Sequence, residues 1–307
     1  MPLSPRLRWK LDRFREKFSG IFGGSKEAGR PRLCPACGTL VGSTANRCHQ
    51  CGASLTFSLA AASRSLEKLM PTTSPATYAI LSVSCLLYMV TLLATMRSTG
   101  LQPPAGGLFG IFGFGSINGE VLQRFGASLP LPYNLAQPWR FVMAVFLHGS
   151  LMHIAFNMWV LMDVGPAIEE LYGSARYLFI YVVTGIGGYV LSSLVGKFSV
   201  GGSGALLGLI GVLLATTMGR RSASLQMLRG QLIRWLIYIL VFGLIVSGID
   251  NYAHIGGFAT GFGLGKIMID RPPVAPEERK RAYLLGWGSV FVVVLSFAMA
   301  AMQALHH

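Results

Sequence analysis

Seven apolar runs divide this chain, near 76–96, 151–171, 176–196, 203–219, 232–248, 251–269 and 283–304. Runs of that kind approach the roughly 20 residues that a helix needs to cross a hydrocarbon core of about 30 Å. Lipid offers the backbone no hydrogen-bond partners, so each crossing must satisfy its own amides. The expected fold is therefore an all-α polytopic membrane bundle. Only 12% of the 307 residues are charged and 52% are apolar, against roughly 25% charged in soluble domains. The fourth and fifth runs are short, and the fourth would only just cross. A short span suits a polar group that starts below the membrane surface and opens into a water-filled cavity.

The net charge of +14 is unevenly placed. Nine Lys or Arg lie between Arg6 and Arg32 against three acids, and most of the rest sit in short connections. Topology accounts for this better than nucleic-acid binding, which is not expected. With a cytoplasmic N-terminus, the inside loops are 172–175, 220–231 and 270–282. These and their edges carry Arg176, Arg220, Arg221, Arg229, Arg271, Arg279, Lys280 and Arg281. The outside loops, 97–150, 197–202 and 249–250, carry far fewer, and seven spans leave the C-terminus outside. Residues 1–24 place Leu7, Leu11, Phe14, Phe18 and Ile21 at helical spacing among basic residues. They read either as a basic helix on an anionic membrane or as a disordered positive tail. The first thirty residues are too charged to hold the apolar core of a cleavable signal peptide.

Four of the five cysteines form the pairs Cys34/Cys37 and Cys48/Cys51, ten residues apart. Two such pairs suit tetrahedral zinc coordination by thiolates, and a cytoplasmic location keeps the thiols reduced. Gly38 and Gly52 follow each pair, where a knuckle turn needs a residue without a Cβ. Residues 32–57 are thus expected to be a zinc ribbon, with a linker over 58–75. The ribbon reads first as a structural or docking module for a cytoplasmic partner, then as a metal or redox sensor. Cys85 sits in an apolar span and reads as an inert small hydrophobe.

The chemistry concentrates in polar residues within apolar runs, where a bilayer penalises them. Ser203 lies in Val200-Gly201-Gly202-Ser203-Gly204, and His254 in Ala253-His254-Ile255-Gly256-Gly257. A serine and a histidine are the minimum for a nucleophile and its base. Gly204, Gly208 and Gly211 follow Ser203, while Gly257, Gly261 and Gly265 follow His254. Small residues at such spacing let two helices approach backbone to backbone, which would bring the pair together. His153 and Asn157 share one helix face, with His148 about a turn above. They can point donors at a developing oxyanion or merely bond between helices.

At these residues the chain resembles the rhomboid intramembrane serine proteases. Gly201-Gly202-Ser203-Gly204 is similar to the family's Gly-x-Ser-Gly. Asp250 to Gly257 is similar to its histidine helix, Trp139-Arg140 to the Trp-Arg of its first outside loop, and His148, His153 and Asn157 to its His-x4-His-x3-Asn. Gly165-Pro166, Glu169, Gly173 and Arg176 resemble its turn between the second and third spans. The resemblance implies a six-helix core over 76–270 and, over 271–307, a cytoplasmic turn and a seventh helix that packs without catalysing. It implies a Ser203–His254 dyad without an acid, and an oxyanion site of the Ser203 N–H with His153 and Asn157. His148 would be structural, Tyr252 would pack beside the imidazole, and Asp250 is a poor third member. Substrates would be single-span or polytopic membrane proteins, entering near a fifth span softened by Gly243 and Gly248. The expected place is a prokaryotic cytoplasmic membrane, with the active site opening outward and no cofactor beyond structural zinc. The alternative is a catalytically silent, client-binding relative. No His-Glu-x-x-His is present to support a metalloprotease, and no repeated halves to support a transporter.

Overall fold

The computed structural model describes residues 32–34, 37–42, 45–52, 55, 74–99, 115–219, 222–246, 248–268 and 270–305. Residues 1–24, most of the 58–75 linker and residues 100–114 of the 97–150 loop lie outside them. The chain divides into two compact units, Met1–Ala61 and Ala62–His307.

The first unit contains a small antiparallel ribbon of β1 (Arg32–Leu33) and β2 (Leu40–Val41), with Arg32 opposite Val41 and Leu33 opposite Leu40. Gly38 and Gly52 close the two knuckles by donating N–H to Cys34 O and Cys48 O, each at 2.9 Å. Their φ values of +78° and +68° lie in the left-handed region, so the conformation itself favours glycine.

The second unit is helical. Its described helices are α1 (Pro75–Thr99), α2 (Gly119–Phe125), α3 (Leu131–Ala136), α4 (Arg140–Phe146), α5 (Leu151–Tyr172), α6 (Ser174–Leu194), α7 (Ser203–Thr217), α8 (Ala223–Ile245), α9 (Asn251–Ile267) and α10 (Pro276–Leu305). Five of them, α1, α5, α6, α8 and α10, are long and apolar enough to span a membrane. The chain is an integral membrane protein. Helices α7 and α9, of 15 and 17 residues, extend about 22 and 26 Å at 1.5 Å per residue. That is shorter than a hydrocarbon core of about 30 Å, and almost every residue of α7 is buried. A helix lodged among others does not need to match the bilayer thickness.

The fifth span departs from the expected 232–248. Helix α8 runs from Ala223 to Ile245, so it is a full-length span. Ser222 caps it by accepting from Leu225 N–H at 3.3 Å. The polar residues Gln226, Arg229 and Gln231 lower the hydropathy of 223–231 without interrupting the helix. Gly248, with φ +93°, lies beyond the helix end, so only Gly243 of the two glycines is inside it. The Glu277–Arg281 segment, expected as a turn, is likewise part of α10. The 97–150 connection is not one long loop, because its described part folds into α2, α3 and α4.

Buried polar contacts fix how the helices meet. Helices α5 and α6 are joined by Gly173 alone, at φ +78°. The buried Glu169 carboxylate accepts from Ala76 N–H and Thr77 N–H, both at 2.8 Å, and from the Thr77 hydroxyl at 2.7 Å. It thereby satisfies amides that the start of α1 leaves free. Arg140 is also buried. It donates to Gln123 O at 2.7 Å, Ala127 O at 3.1 Å and Gln137 Oε1 at 2.5 Å, and lies 4.8 Å from the Trp139 ring. The Trp-Arg pair therefore braces the α2–α4 segment from within and does not present the guanidinium to lipid phosphate.

Candidate active site

Helices α7 and α9 pack against each other through glycine. A Cβ on Gly257 would overlap Gly204 O, and one on Gly261 would overlap Gly208 O. In return, a Cβ on Gly204 would come 3.0 Å from Ala253 O, and one on Gly211 2.5 Å from Phe258 O. The two backbones touch with no side chain between them, as small-residue stripes allow. This packing sets Ser203 Oγ 2.8 Å from His254 Nε2.

The backbone before Ser203 is held on three sides. Gly201 N–H donates to Ala144 O at 2.9 Å. The buried Tyr189 hydroxyl of α6 donates to Gly201 O at 2.7 Å. Gly201 has φ +128°, and a Cβ there would sit 2.6 Å from His153 Nε2. Both the conformation and the imidazole thus demand glycine. Ser203 is the first residue of α7, so its N–H is one that the helix leaves without an intrahelical partner.

His153 and Asn157 line the same cavity as Ser203 and His254. Gly149 N–H donates to His153 Nδ1 at 3.4 Å, which assigns the hydrogen of a neutral ring to Nε2, the atom beside Gly201. Asn157 Nδ2 donates one hydrogen to His153 O at 2.8 Å. Its buried Oδ1 has no partner among the described residues. His148 is fully buried two residues before the Ser150 cap of α5, so it is not on the helix. Its Nδ1 lies 3.2 Å from Phe146 O and its ring 5.2 Å from that of His153, edge to face.

Sequence reasoning passed over the parts played by Asn251, Tyr189 and Ser192. Asn251 Oδ1 lies 3.0 Å from His254 Nδ1, and its Nδ2 donates to Leu240 O of α8 at 3.1 Å. Tyr189 pins the serine loop. Asp250 caps α9 through Oδ1, 3.0 Å from Tyr252 N and 3.2 Å from Ala253 N, and its Oδ2 accepts from the Ser192 hydroxyl of α6. The signal for Tyr189 and Ser192 was available, since polar groups inside a span must find partners. Tyr252, expected beside the imidazole, is 44% exposed and makes no ring contact with His254.

The cavity has a volume of roughly 910 Å³ and is bounded by aromatic side chains of α5 and α8, among them Trp159 and Trp235. Those two rings meet edge to face at 5.4 Å. A nucleophile, a base and donors thus share one largely apolar chamber.

A family model described as a rhomboid domain matches residues 135–271. The chain carries a rhomboid domain. It is similar to the rhomboid protease GluP of Bacillus subtilis, at 40% identity over 149 residues, which are 48% of this chain and 29% of that protein. RHOMBOID-like protein 6, mitochondrial, of Arabidopsis thaliana is 32% identical over 157 residues, 49% of this chain and 50% of the relative. Rhomboid-type serine protease 2 of Emericella nidulans is 36% identical over 157 residues, 47% and 29% respectively. The chain thus spans half or less of the length of these relatives. The rhomboid domain takes in α4 to α9 and with them Ser203, His254, His153, Asn157 and Asn251.

In the other unit, Cys34, Cys37, Cys48 and Cys51 place their four sulfurs within 4.8 Å of one another. Cys34–Cys51 and Cys37–Cys48 are 3.6 Å apart. Four thiolates at 2.3 Å from a tetrahedral zinc stand about 3.8 Å apart, so the donor set fits that ion. Hydrogen bonding to Thr39, through its hydroxyl and then its backbone, pulls the Cys37 thiol down to about 6. That leaves it a ready thiolate ligand at neutral pH.

Proposed function

We propose that this protein is an intramembrane serine endopeptidase acting on the membrane-spanning segments of other proteins. The observation that carries the reading is the 2.8 Å contact between Ser203 Oγ and His254 Nε2 inside a rhomboid domain. His254 Nε2 takes the Ser203 proton as Oγ attacks the scissile carbonyl carbon. Charge develops on the carbonyl oxygen, toward which the Ser203 N–H, His153 Nε2–H and the remaining Asn157 Nδ2 hydrogen can converge. The imidazolium then protonates the leaving amine as the peptide C–N bond breaks, leaving an acyl ester on Ser203. Water, deprotonated by His254, attacks that ester and restores the hydroxyl. His148 supports His153 through its ring and takes no part in proton transfer. Catalysis of this kind uses no cofactor.

The excess of positive charge in the 220–231 and 270–282 connections favours a cytoplasmic N-terminus and a site facing the opposite side. The four cysteines are proposed to hold a structural zinc ion, which would tie the two knuckles into one folded unit for a cytoplasmic partner.

The test is cleavage of a single-span substrate with a weakened helix at its outer end, in detergent, by wild type and Ser203→Ala side by side. Wild type alone should cleave. Cleavage by Ser203→Ala at the wild-type rate would sink the assignment. No cleavage by either, with Ser203 unreactive to a fluorophosphonate, would favour a client-binding relative.

A further inference from the structure

The His254 ring can accept a proton from Ser203 only if Nε2 presents its lone pair. A neutral imidazole then carries its hydrogen on Nδ1. That nitrogen faces Asn251 Oδ1 at 3.0 Å. The Asn251 amide has two possible orientations, and they impose opposite tautomers. With oxygen toward the ring, Nδ1 must be the donor and Nε2 is free to act as a base. With nitrogen toward the ring, Nδ1 becomes the acceptor, the hydrogen moves to Nε2, and the base is silent.

Helix α8 decides between these orientations. The other end of the amide faces Leu240 O at 3.1 Å, and a carbonyl can only accept. It therefore holds Nδ2 and turns Oδ1 toward His254. Gly243, one turn along α8, supplies the space, since a Cβ there would come 2.8 Å from Asn251 Cγ and overlap Oδ1. The hydrogen bond that orients the ring thus depends on a backbone carbonyl of another helix.

Helix α8 is also the least buried of the five long helices. Only 6% of its apolar window is buried, against 56% for α6. It walls the cavity that contains Ser203, through Trp235, Tyr238 and Phe242. Most of α8 therefore faces outward from the bundle, and few side chains of other helices hold it in place.

We propose that Asn251 is a positioning residue that sets the His254 tautomer only while α8 is seated against α9, so that the base is armed by that helix. The inference rests on the protease reading for its consequence, though not for the tautomer itself. An outward movement of α8 by more than a hydrogen-bond length releases the amide and lets both tautomers populate.

The experiment uses the full chain in detergent, with two readouts: ¹⁵N-histidine NMR for the His254 tautomer, and the rate of fluorophosphonate labelling at Ser203. Wild type should show an Nδ1–H ring. Asn251→Ala, which removes both contacts, should show mixed tautomers and labelling slowed by at least about tenfold, a part of the roughly 10²–10⁴-fold that general acid–base catalysis contributes. Asn251→Asp keeps an oxygen toward Nδ1, loses the donor to Leu240 and sets a carboxylate oxygen against that carbonyl. It should retain the Nδ1–H ring and label within about threefold of wild type. Gly243→Ala, which does not touch His254, should reproduce the Asn251→Ala behaviour by displacing the amide. An unchanged tautomer and labelling rate in folded Asn251→Ala would overturn the proposal, as would a folded Asn251→Asp with the mixed tautomers expected of Asn251→Ala. If wild type carries the Nδ1–H ring, Asn251→Ala loses it and yet Ser203 never labels, the protease reading fails and the positioning role stands.

Discussion

Gly201 carries two constraints that no other residue near Ser203 carries together. Its φ of +128° is strained for any L side chain, and a Cβ would strike His153 Nε2 at 2.6 Å. Gly201→Ala should therefore displace either the serine loop or a proposed oxyanion donor. We expect cleavage to fall by about 10²-fold or more, the size of effect seen when such a donor is lost. The rest of the fold should be retained, because the strain is local. The check is cleavage rate beside thermal unfolding in detergent. Ser203 and His254 were legible as residues because a serine and a histidine inside apolar runs are costly without a purpose. Asn251 was not. As the first residue of the 251–269 run it reads as an ordinary span-end residue, and its role depends on Leu240 O, which the sequence does not place beside it.

Among the elements, the α7–α9 pair determines whether the dyad exists. Gly261 meets the Gly208 carbonyl directly, while Gly263, on the same helix, would direct a Cβ into open space. Gly261→Leu should push the helices apart, cost about 1–3 kcal/mol as overpacking does, and abolish cleavage. Gly263→Leu should leave both stability and cleavage near wild type. A Gly261→Leu protein as stable and active as wild type would refute direct backbone packing as the basis of the pair. The N-terminus of α9 offers a milder test. Asp250→Ala removes the cap and the Ser192 tie, and the cap alone is worth about 1 kcal/mol. A lowered melting temperature with partial retention of cleavage is expected, because His254 keeps Asn251 and Ser203. The glycine spacing that brings α7 to α9 is visible in sequence. The extent of α8 is not, because Arg229 and its polar neighbours lower hydropathy without breaking the helix.

For the whole molecule, two compact units imply separable functions. Cys34→Ser with Cys37→Ser should abolish zinc binding and retain cleavage by the membrane unit, measured by metal content and by the single-span assay. Loss of cleavage with the helical unit still folded would give the ribbon a direct part in activity. In metal-free protein, the Cys37 thiol, pulled down to about 6 by its Thr39 hydrogen bonds, is deprotonated above that pH and protonated below it. Alkylation of Cys37 should accordingly rise with a midpoint near pH 6 and be suppressed when zinc occupies the sulfurs; a midpoint above pH 8 would contradict the hydrogen-bonded thiol. The sequence by itself determined the class of fold and the identity of the candidate nucleophile, base and metal ligands. Long apolar runs admit only helices in lipid, polar residues within them stand out, and cysteine pairs have a characteristic spacing. Only the tertiary structure decided what orients those groups. The Leu240 carbonyl that turns Asn251, the Tyr189 hydroxyl that pins Gly201 and the Ser192 hydroxyl on Asp250 are contacts between residues distant in sequence. Hydrogen bonds of that kind depend on where the helices end and how they rotate, and local residue patterns do not encode either.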